Sequence, residues 1–333
     1  MANKHDDLLI VENLTMEFVG VKRFLEKRKP NVRAVNNVSF TVKEGETFGL
    51  VGESGCGKTT LGKCVVRLLK PTEGKLLFND DGEWKDLLAV SKKEGHALRR
   101  KVQMVFQDPY SSLNPQHTIL EAFDEPMRVH GIGGKDKEAR KQLIAEALIR
   151  VNLQPDYMYR YPHEFSGGQR QRLCVAKALV LQPKLIVCDE PVSALDVSVQ
   201  AQLLNLMKKL QAELGVTYIF IAHDLSVVQY MSDRIGVMYL GNMVELTDAD
   251  ELYQNPMHPY TEALLSAVPV PVVNGKKDRI ILEGDVPSPM KPPSGCPLHP
   301  RCSKCMDICK EQKPELQQKA DGHYVACHLY DEK

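Results

Sequence analysis

Apolar residues gather in four short runs, ETFGLV (46–51), KVQMVFQ (101–107), KLIVCDE (184–190) and TYIFIAH (217–223). Each is of strand length and reads as a buried strand. Between them the spacing changes to that of helices. LGKCVVRLLK (61–70) is apolar-periodic and closed by Pro71. The long stretch from about 117 to 181, which contains KDKEARKQLIAEALIRV, has apolar residues at helical spacing and reads as an inserted helical subdomain. DVSVQAQLLNLMKKLQAELG (196–215) predicts a helix with Asp196 as N-cap and Gly215 at its end. After about residue 250 the texture turns Pro-rich and irregular, and no internal repeat is visible.

The polar residues that interrupt this pattern carry the chemistry. In open α/β sheets a ligand lies beyond the carboxyl ends of the strands, so Gln107, Asp189, Glu190 and His223 are expected to converge there. The first strand runs into GESGCGKT (52–59), which satisfies the phosphate-loop pattern G-x-x-x-x-G-K-[ST]. Its glycines let backbone N–H groups turn inward around phosphates, Lys58 reaches the β and γ oxygens, and the Thr59 hydroxyl is placed to ligate Mg²⁺. Gly52, Ser54, Gly55, Cys56, Gly57, Lys58, Thr59 and Thr60 are the candidate contacts to ATP. Cys56 is open to two readings, a thiol activated by the helix N-terminus or a small tolerated side chain. Asp189 is placed to hold Mg²⁺ through water and Glu190 to polarise an attacking water.

FSGGQRQR (165–172) supplies a second anion site. Ser166, Gly167, Gly168 and Gln169 open a helix whose free N–H groups and hydroxyl suit a γ-phosphate. A chain that already holds one phosphate loop has no need of a second on the same nucleotide, so this surface is expected to serve ATP bound to another subunit. A plain helix N-cap is the alternative.

Composition narrows the partners little. Lys+Arg and Asp+Glu are both 43 in 333 residues, so no overall field favours nucleic acid or an anionic membrane. MANKHDDLLIVENL lacks the pattern of a secretory signal and no apolar run could span a bilayer, so a cytoplasmic chain reaching a membrane through partners is expected. Nine cysteines in such a chain argue for thiols, metal ligands or redox groups.

Taken together these motifs resemble the ATP-binding cassette family. The resemblance implies a P-loop cassette, an α/β fold with a RecA-like core, an antiparallel β subdomain and the helical insertion, over about residues 1–250. It implies that Gln107 in VFQDP senses Mg²⁺ and the attacking water, that SALD (193–196) lies along a dimer seam, and that His223 in AHD contacts the γ-phosphate. Phe18 is the aromatic implied to stack on adenine, an ordinary strand residue being the alternative. Phe165 stands where the family usually has Leu.

GESGCGKTTLGK, VFQDPYSSLNP, YPHEFSGGQRQR, DEPVSALDVSVQAQLLNL and NPMHPYTEALLSAVP narrow the likeness to the F-type ATPase subunit of dipeptide/oligopeptide importers. That implies an ATP-hydrolysing import motor at the cytoplasmic face of the cell membrane. Its implied partners are a D-type cassette subunit forming a heterodimer, two integral membrane permease subunits and an extracytoplasmic binding protein, with no nucleic acid. The same motor for nickel or small saccharides, an exporter, and a soluble cassette ATPase acting on ribosomes or nucleic acid are the alternatives.

The tail, residues 251–333, contains SGCPLHPRCSKCMDICKE (294–311). Cys296, Cys302, Cys309 and Cys327 are spaced C-x5-C-x6-C-x17-C, which calls for a soft metal centre, [4Fe–4S] or Zn²⁺, without choosing between them. Free thiols or a disulfide stay open. The resemblance implies the [4Fe–4S] cluster. A four-thiolate centre would hold in shape a segment too poor in apolar residues for its own core, with redox sensing as the alternative role. Cys305 is an extra thiol outside that pattern, and His299 is a further candidate ligand or an ordinary loop histidine.

Overall fold

Alternation in DLLIVENLTMEF and VRAVNNVSFTVK forms the first two strands, and the continuous runs form short strands buried on both faces. In chain order the strands of this computed structural model are β1 (Asp7–Phe18), β2 (Val32–Lys43), β3 (Thr47–Val51), β4 (Glu73–Asp80), β5 (Glu83–Asp86), β6 (Val102–Val105), β7 (Leu185–Asp189), β8 (Thr217–Ile221), β9 (Arg234–Tyr239), β10 (Asn242–Asp248), β11 (Gln317–Ala320) and β12 (His323–Val325). The structure describes residues 7–20, 31–268 and 279–331. Pro269, the last residue of NPMHPYTEALLSAVP, and the VPVV that follows it lie outside them. So do the first residues of the amino-terminal stretch. The chain forms two compact units.

One unit, built mainly of Ala89–Phe220, is rich in helices. β6 pairs in parallel with β7, Val102 opposite Leu185 and Val105 opposite Cys188. The expected strand over 101–107 is shorter than its apolar run, and Phe106 and Gln107 leave the sheet. The stretch read as a helical insertion contains the helices Ile119–Val129, Lys137–Arg150 and Gly167–Leu179, with 3₁₀ turns at Pro155–Tyr159 and Pro162–Glu164. Local chemistry sets their starts. Thr118 and Glu121 form a reciprocal capping box, and Asp136 caps the second helix. Ile144, Ala147 and Leu148 are the apolar face that the second helix buries. The helix Val197–Leu214 has the two ends read from the sequence: Asp196 accepts from the Val199 N–H, and Gly215 takes φ 66° at the C-cap.

The other unit comprises Leu9–Val42, Thr47–Leu88 and Ile221–Lys333. It holds an antiparallel sheet in the order β2-β1-β4-β5, with Leu9 opposite Phe78 and Val11 opposite Leu76. Those four side chains are fully buried, because one face of each strand is apolar. Its second sheet runs β11-β12-β10-β9-β3. β3 pairs in parallel with β9, and the remaining pairs are antiparallel. The cysteine-rich tail thus reaches regular structure through β12, whose Tyr324 and Val325 pair with Leu246 and Glu245.

A buried polar cluster fixes that attachment. Glu245 and His323 are almost wholly inaccessible, and His323 Nε2 lies 2.7 Å from Glu245 Oε1. The same carboxylate accepts from the Met257 and His258 amides at 2.7 and 3.1 Å. Three donors on one buried acid satisfy it in place of water.

Candidate functional site

β3 ends at Val51 and the chain turns through the glycine-rich loop into the helix Lys58–Val65. Gly52 and Gly57 adopt φ 146° and 107°, conformations that only glycine takes without strain. Space demands glycine as well, since a Cβ at Gly52 would lie 2.1 Å from the Met238 carbonyl oxygen and one at Gly57 2.1 Å from that of Ala34. The helix opens at Gly57 with no side-chain cap and no acidic residue in its first turn. The positive end of its dipole is therefore suited to an anion.

Lys58 is buried beneath this loop, its Nζ donating to the carbonyls of Gly52 at 2.7 Å and Glu53 at 3.1 Å. Ser54 and Gly55 are exposed, and Thr59 and Thr60 half-buried on the opening turn. Cys56 is 4% exposed, and burial pushes its thiol up against the lowering effect of Lys58. Of its two readings the structure places it as a packed, protonated side chain. Phe18, at the end of β1, is 41% exposed. His223 is exposed in the turn after β8. The Ala222 N–H donates to the Leu50 carbonyl at 3.3 Å, which fixes the start of that turn beside the end of β3.

In the helical unit, Asp189 closes β7 with 4% exposure and Glu190 follows it at φ 46°, a left-handed conformation that is strained for a glutamate. The Ser193 N–H and Oγ both donate to the Glu190 carbonyl, at 3.3 and 3.1 Å, and hold the turn. The Glu190 carboxylate faces the end of β6, where Gln107 Nε2 donates to its Oε2 at 3.0 Å. Ser166 accepts from the Gln169 N–H, and Gln169 Oε1 accepts from the Ser166 N–H at 3.0 Å, a capping box at the head of Gly167–Leu179. Phe165 is buried edge-on against Tyr157, ring centroids 5.6 Å apart, so this aromatic substitute fills a packing site.

Sequence reasoning missed why Gly168 is glycine. A Cβ there would lie 2.4 Å from Val199 Cγ1, on the helix that begins after Asp196. It also missed Glu53, Tyr260 and Arg301. Glu53 is only an unspecified position of the loop pattern, and its partners lie more than two hundred residues away.

The tail brings its thiols together. Cys296, Cys309 and Cys327 are buried, and Cys302 and Cys305 partly exposed. Burial pushes Cys296 and Cys327 up to about 11, and Cys302 upward as well. Smaller contributions to the rise at Cys327 come from Cys296, Cys302 and Cys309, so the four sulfurs lie within electrostatic reach of one another. The Cys296 N–H donates to the Cys309 carbonyl at 2.8 Å, closing the loop between them. The donor set suits a soft metal, but its present spacing does not form a closed shell. Among the described residues no three His, Cys, Asp or Glu side chains are arranged to hold a metal ion. His299 Nδ1 lies 3.0 Å from the Cys296 carbonyl, a contact within its own turn.

Comparison with known proteins gives two family matches along the chain. Residues 35–193 match the ABC transporter family, and residues 244–309 match the oligopeptide/dipeptide transporter C-terminal region. The oligopeptide transport ATP-binding protein AppF of Bacillus subtilis is 53% identical over 332 residues, 99% of each chain. Among solved structures, the ATP-binding cassette MJ0796, a dimer in a post-hydrolysis state bound to ADP and Pi, superposes with a TM-score of 0.62 at 30% identity. It covers 73% of this chain and 99% of that one. CbiO1 of Clostridium perfringens, part of the ABC transporter complex CbiONQ, gives a TM-score of 0.62 at 26% identity, over 75% of this chain and 92% of its own.

Proposed function

Because this chain belongs to the ABC transporter family and carries the C-terminal region of oligopeptide/dipeptide transporters, we propose that it is the ATP-hydrolysing motor subunit of a peptide importer. The observation that carries this reading is the phosphate loop, with Gly52 and Gly57 where a Cβ would collide with backbone carbonyls and Lys58 lodged under it.

In this reading residues 1–250 are the cassette and 251–333 the importer-specific region. ATP lies on the phosphate loop with its adenine on Phe18. Backbone N–H groups of the loop and Lys58 take the phosphates, and Ser166, Gly167, Gly168 and Gln169 of this chain close over the γ-phosphate of the ATP bound by a second cassette subunit. The dimer of the MJ0796 cassette supports this arrangement. Thr59, Gln107 and Asp189 suit Mg²⁺: a hydroxyl, an amide oxygen and a carboxylate are hard donors. Held by these residues, the ion would supply neutralisation of phosphate charge.

Glu190 orients a water and accepts its proton as the water oxygen bonds to the γ-phosphorus. The bond from that phosphorus to the bridging oxygen breaks, and ADP leaves with the electron pair. His223 holds the γ-phosphate oxygens. Gln107, bonded to Glu190, fixes the direction of the carboxylate. Most of the rate gain comes from positioning and charge stabilisation.

The second cassette is a D-type partner, so the pair is a heterodimer. Both sit at the cytoplasmic face of two membrane permease subunits served by an external binding protein. Among the described residues no helix is long and apolar enough to cross a membrane, so attachment through permeases fits. We further assign the thiols of Cys296, Cys302, Cys309 and Cys327 to a [4Fe–4S] cluster, with Zn²⁺ as the other soft ion that four sulfurs would accept. The donor chemistry supports it, since four thiols on one short tail suit a soft metal, and closing a shell would need these side chains to rearrange. Iron, sulfide and zinc analysis of anaerobically purified protein decides between them.

Reconstitution of both cassettes, both permeases and the binding protein in vesicles tests the whole reading. Peptide-loaded binding protein should stimulate phosphate release and peptide should accumulate inside. ATP hydrolysis that no peptide stimulates would remove the cargo assignment.

A further inference from the structure

The phosphate loop is gripped from the cysteine-rich tail. Glu53, the second residue of GESGCGKT, receives Arg301 on both carboxylate oxygens, Nη1 to Oε2 at 2.9 Å and Nη2 to Oε1 at 3.3 Å. Arg301 Nη1 also donates to Tyr239 Oη at 3.4 Å. The Glu53 amide donates to Tyr260 Oη at 2.8 Å, and the Tyr239 and Tyr260 rings lie 4.7 Å apart. Both tyrosines are fully buried, so this wall of the loop is rigid. The Glu53 carbonyl meanwhile accepts from Lys58. Carboxylate, amide and carbonyl of one loop residue are thus all engaged. One is held by the tail turn His299–Arg301, one by the helix Pro259–Ser266 and one by the phosphate-binding lysine.

An ion pair that merely fastened the tail could stand anywhere on the surface. This one stands on the loop whose N–H directions decide phosphate binding, and a two-pronged guanidinium fixes orientation as well as distance. The Arg301 side chain is 9% exposed, and among the described residues its Nε has no hydrogen-bond partner. Glu53 and Tyr239 therefore carry the desolvation of this cation. Arg301 immediately precedes Cys302, so any displacement of the cysteine turn moves the guanidinium.

We propose that Arg301 is a positioning residue for the phosphate loop: through Glu53 the cysteine-rich tail holds the loop in its nucleotide-binding form. This rests on the assignment of GESGCGKT to ATP. Coupling between two sites is reciprocal, so a docked tail that favours ATP is itself favoured by ATP.

The test uses the full-length protein in two measurements. The first is ATP affinity by equilibrium dialysis. Arg301→Met and Glu53→Gln should each weaken binding on the order of tenfold, as loss of a charged hydrogen-bonded pair does, and the double variant should be no worse than either. Arg301→Lys, which keeps the charge but lacks the fork, should fall between. The second is hydrogen exchange by mass spectrometry. ATP should slow exchange across residues 294–311 in the wild type, and this protection should vanish in Glu53→Gln while protection of the phosphate loop at saturating ATP remains.

Should Arg301→Met fail to fold, Glu53→Gln carries both measurements. Unchanged affinity in Glu53→Gln together with nucleotide-independent exchange of the tail would overturn the proposal. Lys58→Ala separates the premise from the inference. If it binds ATP normally, the ATP assignment itself fails. If it loses ATP while the Glu53 and Arg301 variants do not, only the coupling fails.

Discussion

Gln107 Nε2 donates to Glu190 Oε2 at 3.0 Å, joining the second residue after β6 to the residue just after β7. An amide that donates to a carboxylate limits its rotation, which is what a water-polarising base needs. Glu190→Gln should therefore lower phosphate release by the assembled complex at least about 100-fold, the usual scale for removing a general base, while ATP stays bound. Gln107→Ala should lower turnover less and leave ATP affinity nearly unchanged. Filter binding and phosphate release on the same preparations check both. Near-normal turnover by Glu190→Gln would take Glu190 out of this role.

The two glycines after Ser166 should behave differently. A Cβ at Gly168 meets Val199 Cγ1 at 2.4 Å, whereas one at Gly167 finds its nearest atom, Leu195 Cδ2, at 3.8 Å. Gly168→Ala should lose about 1 kcal/mol of stability, overpacking of about 1–3 kcal/mol being partly offset by better helix propensity. Adding Val199→Ala should recover it. Gly167→Ala should keep its stability but weaken ATP-driven association with the partner cassette. Urea titration and analytical ultracentrifugation separate the two effects.

His258 gives the fold a pH dependence. It is fully buried, and burial lowers its pKa from 6.5 to about 4 although Glu245 pulls the other way. Its Nδ1 accepts from the Tyr260 N–H at 3.1 Å, which requires the neutral ring. Because the folded pKa lies below the unfolded one, the unfolded chain takes up the proton first as pH falls. This contribution is complete above pH 6.5 and is lost progressively down to pH 4, on the order of 3 kcal/mol in all. His258→Gln should flatten the stability curve in that window, as measured by urea unfolding from pH 4 to 7.

Much of the nucleotide machinery was legible in the residues because its chemistry is local. A phosphate loop needs glycine, lysine and a hydroxyl at set intervals between a strand and a helix, and GESGCGKT states all of them. The helix after SALD was readable from Asp196 and Gly215, since caps satisfy backbone groups within a few residues of themselves. The strand before Gln107 was read too long. Its apolar run extends past Val105, but sheet pairing with β7 stops there, and periodicity does not record where a partner strand ends.

By itself the sequence determined the cassette, its phosphate loop, the order of strand-end polar residues and the presence of a cysteine-rich tail. All of these are properties of neighbouring residues and their spacing. Only the tertiary structure decided that Gly168 is glycine to clear Val199, that Cys56 is a buried protonated thiol, and that Glu245 anchors His323. It also decided that Arg301 and Tyr260 hold Glu53. Each of these is a contact between segments far apart in the chain. Close packing and the need to satisfy every buried polar group select such partners in space, where no local pattern announces them.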